Sequence, residues 1–167
     1  MMTGSAAAIV HALKYGGWRQ LADMMAAHMA ETRFTADVES ELALVIPVPL
    51  SQARLRERGY NQAELLARAV ASDRGLPLIV DALRRSRHTR RQARLSPRER
   101  LTNVSRAFHV TSEGGRCVEG QHLLLIDDVL TTAATVQDCV RALCWKGARA
   151  VSVLTFARAR RELPAAR

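Results

Sequence analysis

Residues 122–127, HLLLID, constrain the fold more than any other stretch of this chain. Four large aliphatic residues stand in a row without polar alternation, and two carboxylates, Asp127 and Asp128, follow at once. A run this short has the length of a strand rather than a helix, and a strand that is apolar at every position is covered on both faces. Such sheets are mostly parallel, and each strand returns to the sheet through a helix.

The remaining sequence alternates accordingly. Trp18, Leu21, Met25, His28 and Met29 recur at helical spacing, which predicts an amphipathic helix over 18–31 with His28 at the edge of the core. ALVIPVPL (43–50) reads as a buried strand closed by two prolines. After a basic turn, Asn61 caps a helix with Glu64 three residues on, and Arg74-Gly75 ends it. LPLIV (76–80) is a second strand. Ser96, Pro97 and Glu99 open a short helix to about Val104; RAFHVT (106–111) is a strand candidate, and SEGGR (112–116) reads as a turn. Thr132 or Thr135 caps the helix that carries Val136, Val140 and Leu143, Gly147 ends it, and residues 148–157 form a last strand. The tail, 158–167, has no apolar face and is expected to fray.

The expected fold is therefore α/β, a mostly parallel sheet flanked by helices, in one domain spanning 1–167. Its core is drawn from Leu44 to Val48, Leu78 to Val80, Leu123 to Ile126, Val151 to Leu154, and Leu65, Val70, Val136, Val140 and Leu143. No run approaches the roughly 18 apolar residues of a membrane span. The opening residues make a poor signal peptide, so a cytoplasmic protein is expected. Cys117, Cys139 and Cys144 form neither a C-x-x-C pair nor an even set, so no disulfide framework is suggested.

Charge narrows the partners. The formal net charge is +9, and residues 84–106 hold nine arginines against one acid, Glu99. A patch so one-sided calls for an anionic partner, a phosphorylated small molecule or nucleic acid, unless it is only a solvated face. That window has no aromatic residue on which a single strand would stack.

In parallel sheets ligands sit beyond the carboxyl ends of the strands, where Asp127 and Asp128 are placed. The first turn of a helix offers bare amides to an anion, and Thr131, Thr132 and Thr135 add hydroxyls. The acids would repel that anion, but they accept hydrogen bonds from hydroxyls and help hold hydrated Mg2+. A ribose 5-phosphate fits both halves. The plain alternative is a turn with two caps and no ligand.

These pieces resemble the type I phosphoribosyltransferases, whose motif for 5-phosphoribosyl 1-diphosphate (PRPP) is an apolar strand, two acids and a T-T-G-x-T turn. LLLIDDVLTTAATV (123–136) matches it at every position but one. The chain is similar in particular to the ComF family, through LKYGG (13–17), PVPLSQARLRERGYNQAELLA (47–67), RRQARLSPRERLTNVSRAF (90–108) and KGARAVSVLTFARA (146–159). The resemblance implies that Asp127 and Asp128 form the catalytic centre and hold the ribose hydroxyls, with Mg2+ held mainly through PRPP beside them. It implies that Thr131, Thr132, Ala133, Ala134 and Thr135 wrap the 5-phosphate. Arg54 and Arg58 would line the pyrophosphate side, and residues 84–106 would form a basic mobile hood with Arg87, Arg90, Gln92 and Arg98 over the site.

The implied reaction is displacement of pyrophosphate from PRPP by a nitrogen nucleophile. The family is also associated with DNA uptake in competent bacteria, so a non-catalytic factor that binds nucleic acid through its arginines is the alternative. Many relatives begin with a cysteine-rich zinc-binding segment not found among these residues, so no zinc is expected; a homodimer is the superfamily's habit. Ala133 stands where the pattern has glycine. At positive φ it would cost about 1–2 kcal/mol, and at negative φ almost nothing.

Overall fold

The computed structural model describes residues 4–15, 20–85, 107–131 and 133–159. In chain order its elements are α1 (Gly4–Tyr15), α2 (Leu21–Ala30), α3 (Ala36–Glu41), β1 (Leu42–Pro47), α4 (Gln52–Arg58), α5 (Gln62–Arg74), β2 (Leu83–Arg85), β3 (Phe108–Val110), α6 (Ser112–Val118), β4 (His122–Leu130), α7 (Ala134–Trp145) and β5 (Ala150–Arg158).

The apolar run of 122–127 is the central strand. β4 pairs in parallel with β1 on one side and β5 on the other, with Val45 opposite Leu124 and Leu124 opposite Ser152. Leu123, Leu124, Leu125 and Ile126 are fully buried because both faces are covered. Val45, Leu124, Ile126 and Leu154 pack against residues of α1, α2 and α5. Leu44, Ile46, Leu123 and Leu125 pack against α7 together with Leu83 and Phe108. Two faces, two cores.

Several elements differ from expectation, each for a local reason. The strand expected over 76–80 shrinks to one parallel bridge, Val45 to Leu78, made by Val45 N–H to Pro77 O (2.8 Å) and Ile79 N–H to Val45 O (3.0 Å). Pro77 has no N–H with which to extend the ladder. The basic turn is a helix, α4, capped by the Ser51 hydroxyl and closed by Gly59 in the left-handed conformation. SEGGR is also helical rather than a turn: Thr111 Oγ1 accepts from Gly114 N–H at 3.0 Å. A Cβ on Gly114 would meet Ala82 Cα at 2.6 Å, so glycine there lets α6 lie against the backbone before β2. RAFHVT keeps only Phe108–Val110 as strand, paired antiparallel with β2 in a separate ribbon.

α2 is shorter than the helix expected over 18–31, and His28, exposed and 3.3 Å from Glu31, lies at the core edge, its ring edge-on to Phe156 at 6.1 Å. β1 ends at Pro47 and not at residue 50, while β5 runs on to Arg158, and Ala159 N–H still reaches Leu130 O. The start of the supposed tail is thus part of the sheet; residues 160–167, like the helix expected from Ser96, lie outside the described residues. Leu65, Val140, Val151, Val153 and 78–80 flank the core, half-buried, instead of filling it. Asn61 and Gly75 cap α5 as expected, although Glu64 pairs with Arg68 and not with the cap.

Candidate functional site

β4 does not stop before its acids. Val129 and Leu130 remain paired with Ala157 and Arg158, so Asp127 and Asp128 belong to the strand itself. Alternation then sends them to opposite faces. Asp127 is half-buried, and its Oδ1 accepts the Asp128 N–H at 2.9 Å, which fixes its rotamer. It looks toward α7. Burial first, and then the charges of Asp127 and Asp138, push the Cys139 thiol well above the ordinary thiol range, while Arg85 pulls the other way. Asp127, Cys139 and Arg85 therefore share one neighbourhood, and the guanidinium of Arg85 lies 5.3 Å from the centre of the Phe108 ring. Asp128, 7% exposed, occupies the other face.

The turn after β4 settles the question of Ala133. Its φ is 61° and its ψ is −7°, and it is the one non-glycine residue at positive φ among the described residues. It also stands at the N-cap of α7, where Thr132 or Thr135 was expected. Thr135 is the second helical residue, and Thr132 lies outside the described residues. Ala133 has no side-chain group with which to cap α7, and the first turn carries no acid. An opening of this kind keeps its amides and its partial positive charge for an anion. Thr131 and Ala134 are exposed beside it, and Thr135 is half-buried.

The other wall comes from the excursion between β1 and α5. Val48 N–H donates to Ile126 O (2.9 Å), and Asn61 Nδ2 donates to Val48 O (3.0 Å), so the excursion is clasped at its neck one residue from Asp127. α4 rides on that excursion. Arg54 and Arg58, four residues apart, share one helical face, with Arg58 half-buried and Arg54 exposed, and Arg56 is turned away from them. Tyr60 fastens the excursion to α1 by donating its hydroxyl hydrogen to Leu13 O. The structure thus sets Asp127 and Asp128 on opposite faces near the end of β4, places Thr131, Ala133, Ala134 and Thr135 in the turn and helix start that follow, and puts Arg54 and Arg58 on α4 of the neighbouring excursion. Arg87, Arg90, Gln92 and Arg98 lie outside the described residues.

Sequence reasoning held Arg85 only as one of the arginines of 84–106, with no individual role, and it assigned no role to Gln62. A signal for Gln62 existed: it shares the α5 face of Ala63, Leu66, Ala67 and Val70, where a polar residue stands out. For a cation the described residues offer only part of a cage. No group of three or more His, Cys, Asp or Glu side chains among the described residues would hold a metal. One carboxylate, completed by ligand oxygens and water, does suit Mg2+.

Known proteins agree with this fold. A solved glutamine PRPP amidotransferase from B. subtilis superposes with a TM-score of 0.54 and 22% identity, over 82% of this chain and 25% of that one. A hypoxanthine phosphoribosyltransferase from Trypanosoma cruzi gives 0.50 and 13%, over 84% and 74%. The fold is that of the type I phosphoribosyltransferases.

Among curated proteins, the DNA utilization protein YhgH of Salmonella typhi is 31% identical over 153 residues, covering 90% of this chain and 66% of the relative. Competence protein F of Haemophilus influenzae is 33% identical over 115 residues, covering 69% and 50%, and competence protein ComFC of Bacillus subtilis is 36% identical over 113, covering 68% and 42%. The chain belongs to the ComF family of type I phosphoribosyltransferase-like proteins. It spans 66% or less of the length of these relatives. No protein-family model matches it. Among the described residues no helix is long and apolar enough to cross a membrane.

Proposed function

We propose that this chain binds PRPP with Mg2+ at the carboxyl edge of β4 and acts as a phosphoribosyltransferase, passing the phosphoribosyl group to a nitrogen nucleophile. One observation carries the reading: α7 opens on an uncapped left-handed residue, with no acid in its first turn, directly after a strand bearing two carboxylates. Nothing in sheet packing alone requires that combination, and a sugar with a terminal phosphate and a vicinal diol uses all of it.

The amides at the start of α7 and the Thr131 and Thr135 hydroxyls would donate to the 5-phosphate. Asp127 and Asp128 would accept from the ribose hydroxyls, and their charge would favour the cationic character that grows at C1 as its bond to the diphosphate oxygen breaks. Arg58 and Arg54 would face the departing pyrophosphate, which takes the bond's electron pair as the C1–N bond forms. Mg2+, when bound, would supply charge neutralisation of the diphosphate, held by ligand oxygens beside Asp127 and Asp128. Such chemistry belongs in the cytoplasm, which suits the free thiols of Cys117, Cys139 and Cys144.

Calorimetric titration with Mg·PRPP, with ribose 5-phosphate and ATP as controls, tests the reading. Asp127→Asn and Asp128→Asn each remove a charge without changing volume, and each is expected to weaken PRPP about tenfold or more. Pyrophosphate release should then depend on an added base. A folded chain that takes up no PRPP refutes the proposal; one that binds PRPP and releases no pyrophosphate with any base refutes the transferase half.

A second reading is favoured by the relatives' names, DNA utilization protein and competence protein, together with the arginines of 84–106. In it the fold serves nucleic acid. Electrophoretic shifts over a salt series decide: neutralising several phosphates makes log K fall steeply with log salt. Salt-insensitive or absent binding removes this reading.

A further inference from the structure

Two carboxamides open α5, and the fold treats them in opposite ways. Asn61 is fully used: its Oδ1 accepts from Ala63 N–H at 3.2 Å, and its Nδ2 donates to Val48 O at 3.0 Å. Gln62, the first residue of the helix, is 2% exposed, and its Nε2 has no hydrogen-bond partner among the described residues. Buried side-chain amides are nearly always paired, because stripping one of water without replacing its hydrogen bonds costs the fold stability. Leucine or methionine would fill that position at less cost. An unpaired donor kept there calls for an acceptor that the described residues do not supply.

Its position indicates which acceptor. α5 is 13 residues long, and its start lies against the end of β1, where Val48 is bonded to Ile126 next to the acids. Most of α5 packs on the face of the sheet opposite α7, while Ala63, next to Gln62, joins Val48 in the cluster on the α7 side, so the start of α5 sits at the sheet's end between the two faces. A PRPP molecule with its 5-phosphate on α7 and its diol on the acids therefore extends across the sheet edge toward α5 with its C1 end. That end carries the diphosphate. The local charge suits it: Arg58 is half-buried four residues before Gln62, and the acid in the first turn of α5, Glu64, is engaged by Arg68 at 2.7 Å.

Resting on the function proposed above, we infer that Gln62 is a specificity-determining residue: its Nε2 donates to a diphosphate oxygen and so distinguishes PRPP from ribose 5-phosphate. The donor is already stripped of water before the ligand arrives, so a hydrogen bond to a charged oxygen adds selectivity without a further desolvation cost on the protein side.

The test uses Gln62→Met, which keeps the length and loses the donor, and Gln62→Glu, which keeps the shape and reverses the polarity. Each is titrated with Mg·PRPP, magnesium pyrophosphate and ribose 5-phosphate. The expected result is a loss of about tenfold or more for PRPP and pyrophosphate, larger in Gln62→Glu, with ribose 5-phosphate unchanged. The ligand-free melting temperature of Gln62→Met should be at or above that of the parent. Parental PRPP affinity in both variants overturns the inference while leaving the PRPP reading intact. So does an equal loss for ribose 5-phosphate, because the carboxamide would then shape the whole site. A parent chain that binds none of the three ligands overturns the reading and the inference together. Should either variant fail to fold, the Gln62 side-chain amide signals of the parent decide: they shift with pyrophosphate and not with ribose 5-phosphate, or the assignment is wrong.

Discussion

Ala133→Gly isolates the backbone on which the proposed phosphate site depends. At φ 61° an L-residue brings its Cβ close to the neighbouring carbonyl, at a cost of roughly 1–2 kcal/mol. Glycine removes that cost but frees the unfolded chain, which returns roughly 0.4–1 kcal/mol. The mid-range difference is a gain of about 0.8 kcal/mol, or about 2–3 °C in melting temperature for a domain of this size. Urea titration and thermal melts followed by circular dichroism measure both. Gly75 provides the reciprocal experiment, since its φ is +63° and a Cβ there would meet nothing within 4 Å. Gly75→Ala should therefore lose about what Ala133→Gly gains, with no packing contribution to confuse the sign. If Ala133→Gly instead lowers stability by the entropic amount alone, the left-handed helix opening is wrong, and the phosphate geometry fails with it. PRPP affinity adds a functional arm: removing the methyl from the turn should leave it no weaker than in the parent.

Gly114→Ala should destabilise by about 1–3 kcal/mol in urea, because its methyl would press on the Ala82 backbone and force α6 away from the ribbon. Leu124→Asp places an unpaired charge in the fully buried centre of the sheet and should abolish the cooperative melt regardless of ligand. Acid should weaken the fold through carboxylates held below the ordinary range, among them Glu39, chiefly by its hydrogen bonds with Arg74, and Glu41, by Arg149 and then His122. Their folded pKa values lie below the unfolded one near 4.5, so this stability is complete above that pH and is lost as pH falls through the folded values. Glu39→Gln should flatten the acid limb of stability against pH between 5 and 3, which urea midpoints at each pH will reveal; an unchanged limb refutes the pairing.

How much of this was legible before the structure depends on which force decided each element. The central strand was legible because burial on both faces leaves a continuous apolar run, and α5 because cap, periodicity and terminal glycine all agree. Gly147 closes α7 at φ 95° as read. The short helices α4 and α6 were not legible. Each is seven residues, too short for periodicity to register, and each exists because one hydroxyl caps it while the chain around it is already pinned. β2 and β3 were blurred for a related reason: three-residue strands gain their stability from packing Leu83 and Phe108 under α7, a tertiary fact absent from local sequence. At the site, the residue types were legible but the conformation of Ala133 was not, since sequence left both signs of φ open.

The placement of the two acids inside β4 has a consequence for the chemistry. Had they stood in a loop, both carboxylates would have been free to turn toward one cation. In a strand they diverge, Asp127 toward α7 and Asp128 toward the α5 face, so each is associated with a different helix start. A single cation gripped by both is the poorer fit. A ligand laid across the strand end, with α7 at its phosphate, the acids at its diol and α5 at its far end, is the better one. The Val48 clasp couples these parts, because the residue that hydrogen-bonds β4 through its N–H holds Asn61 through its carbonyl. Cutting the clasp with Asn61→Ala should therefore do more than remove a helix cap, whose loss costs about 1 kcal/mol. It should weaken pyrophosphate binding while sparing ribose 5-phosphate, and a variant that loses stability but keeps both affinities would show that the clasp serves the fold alone.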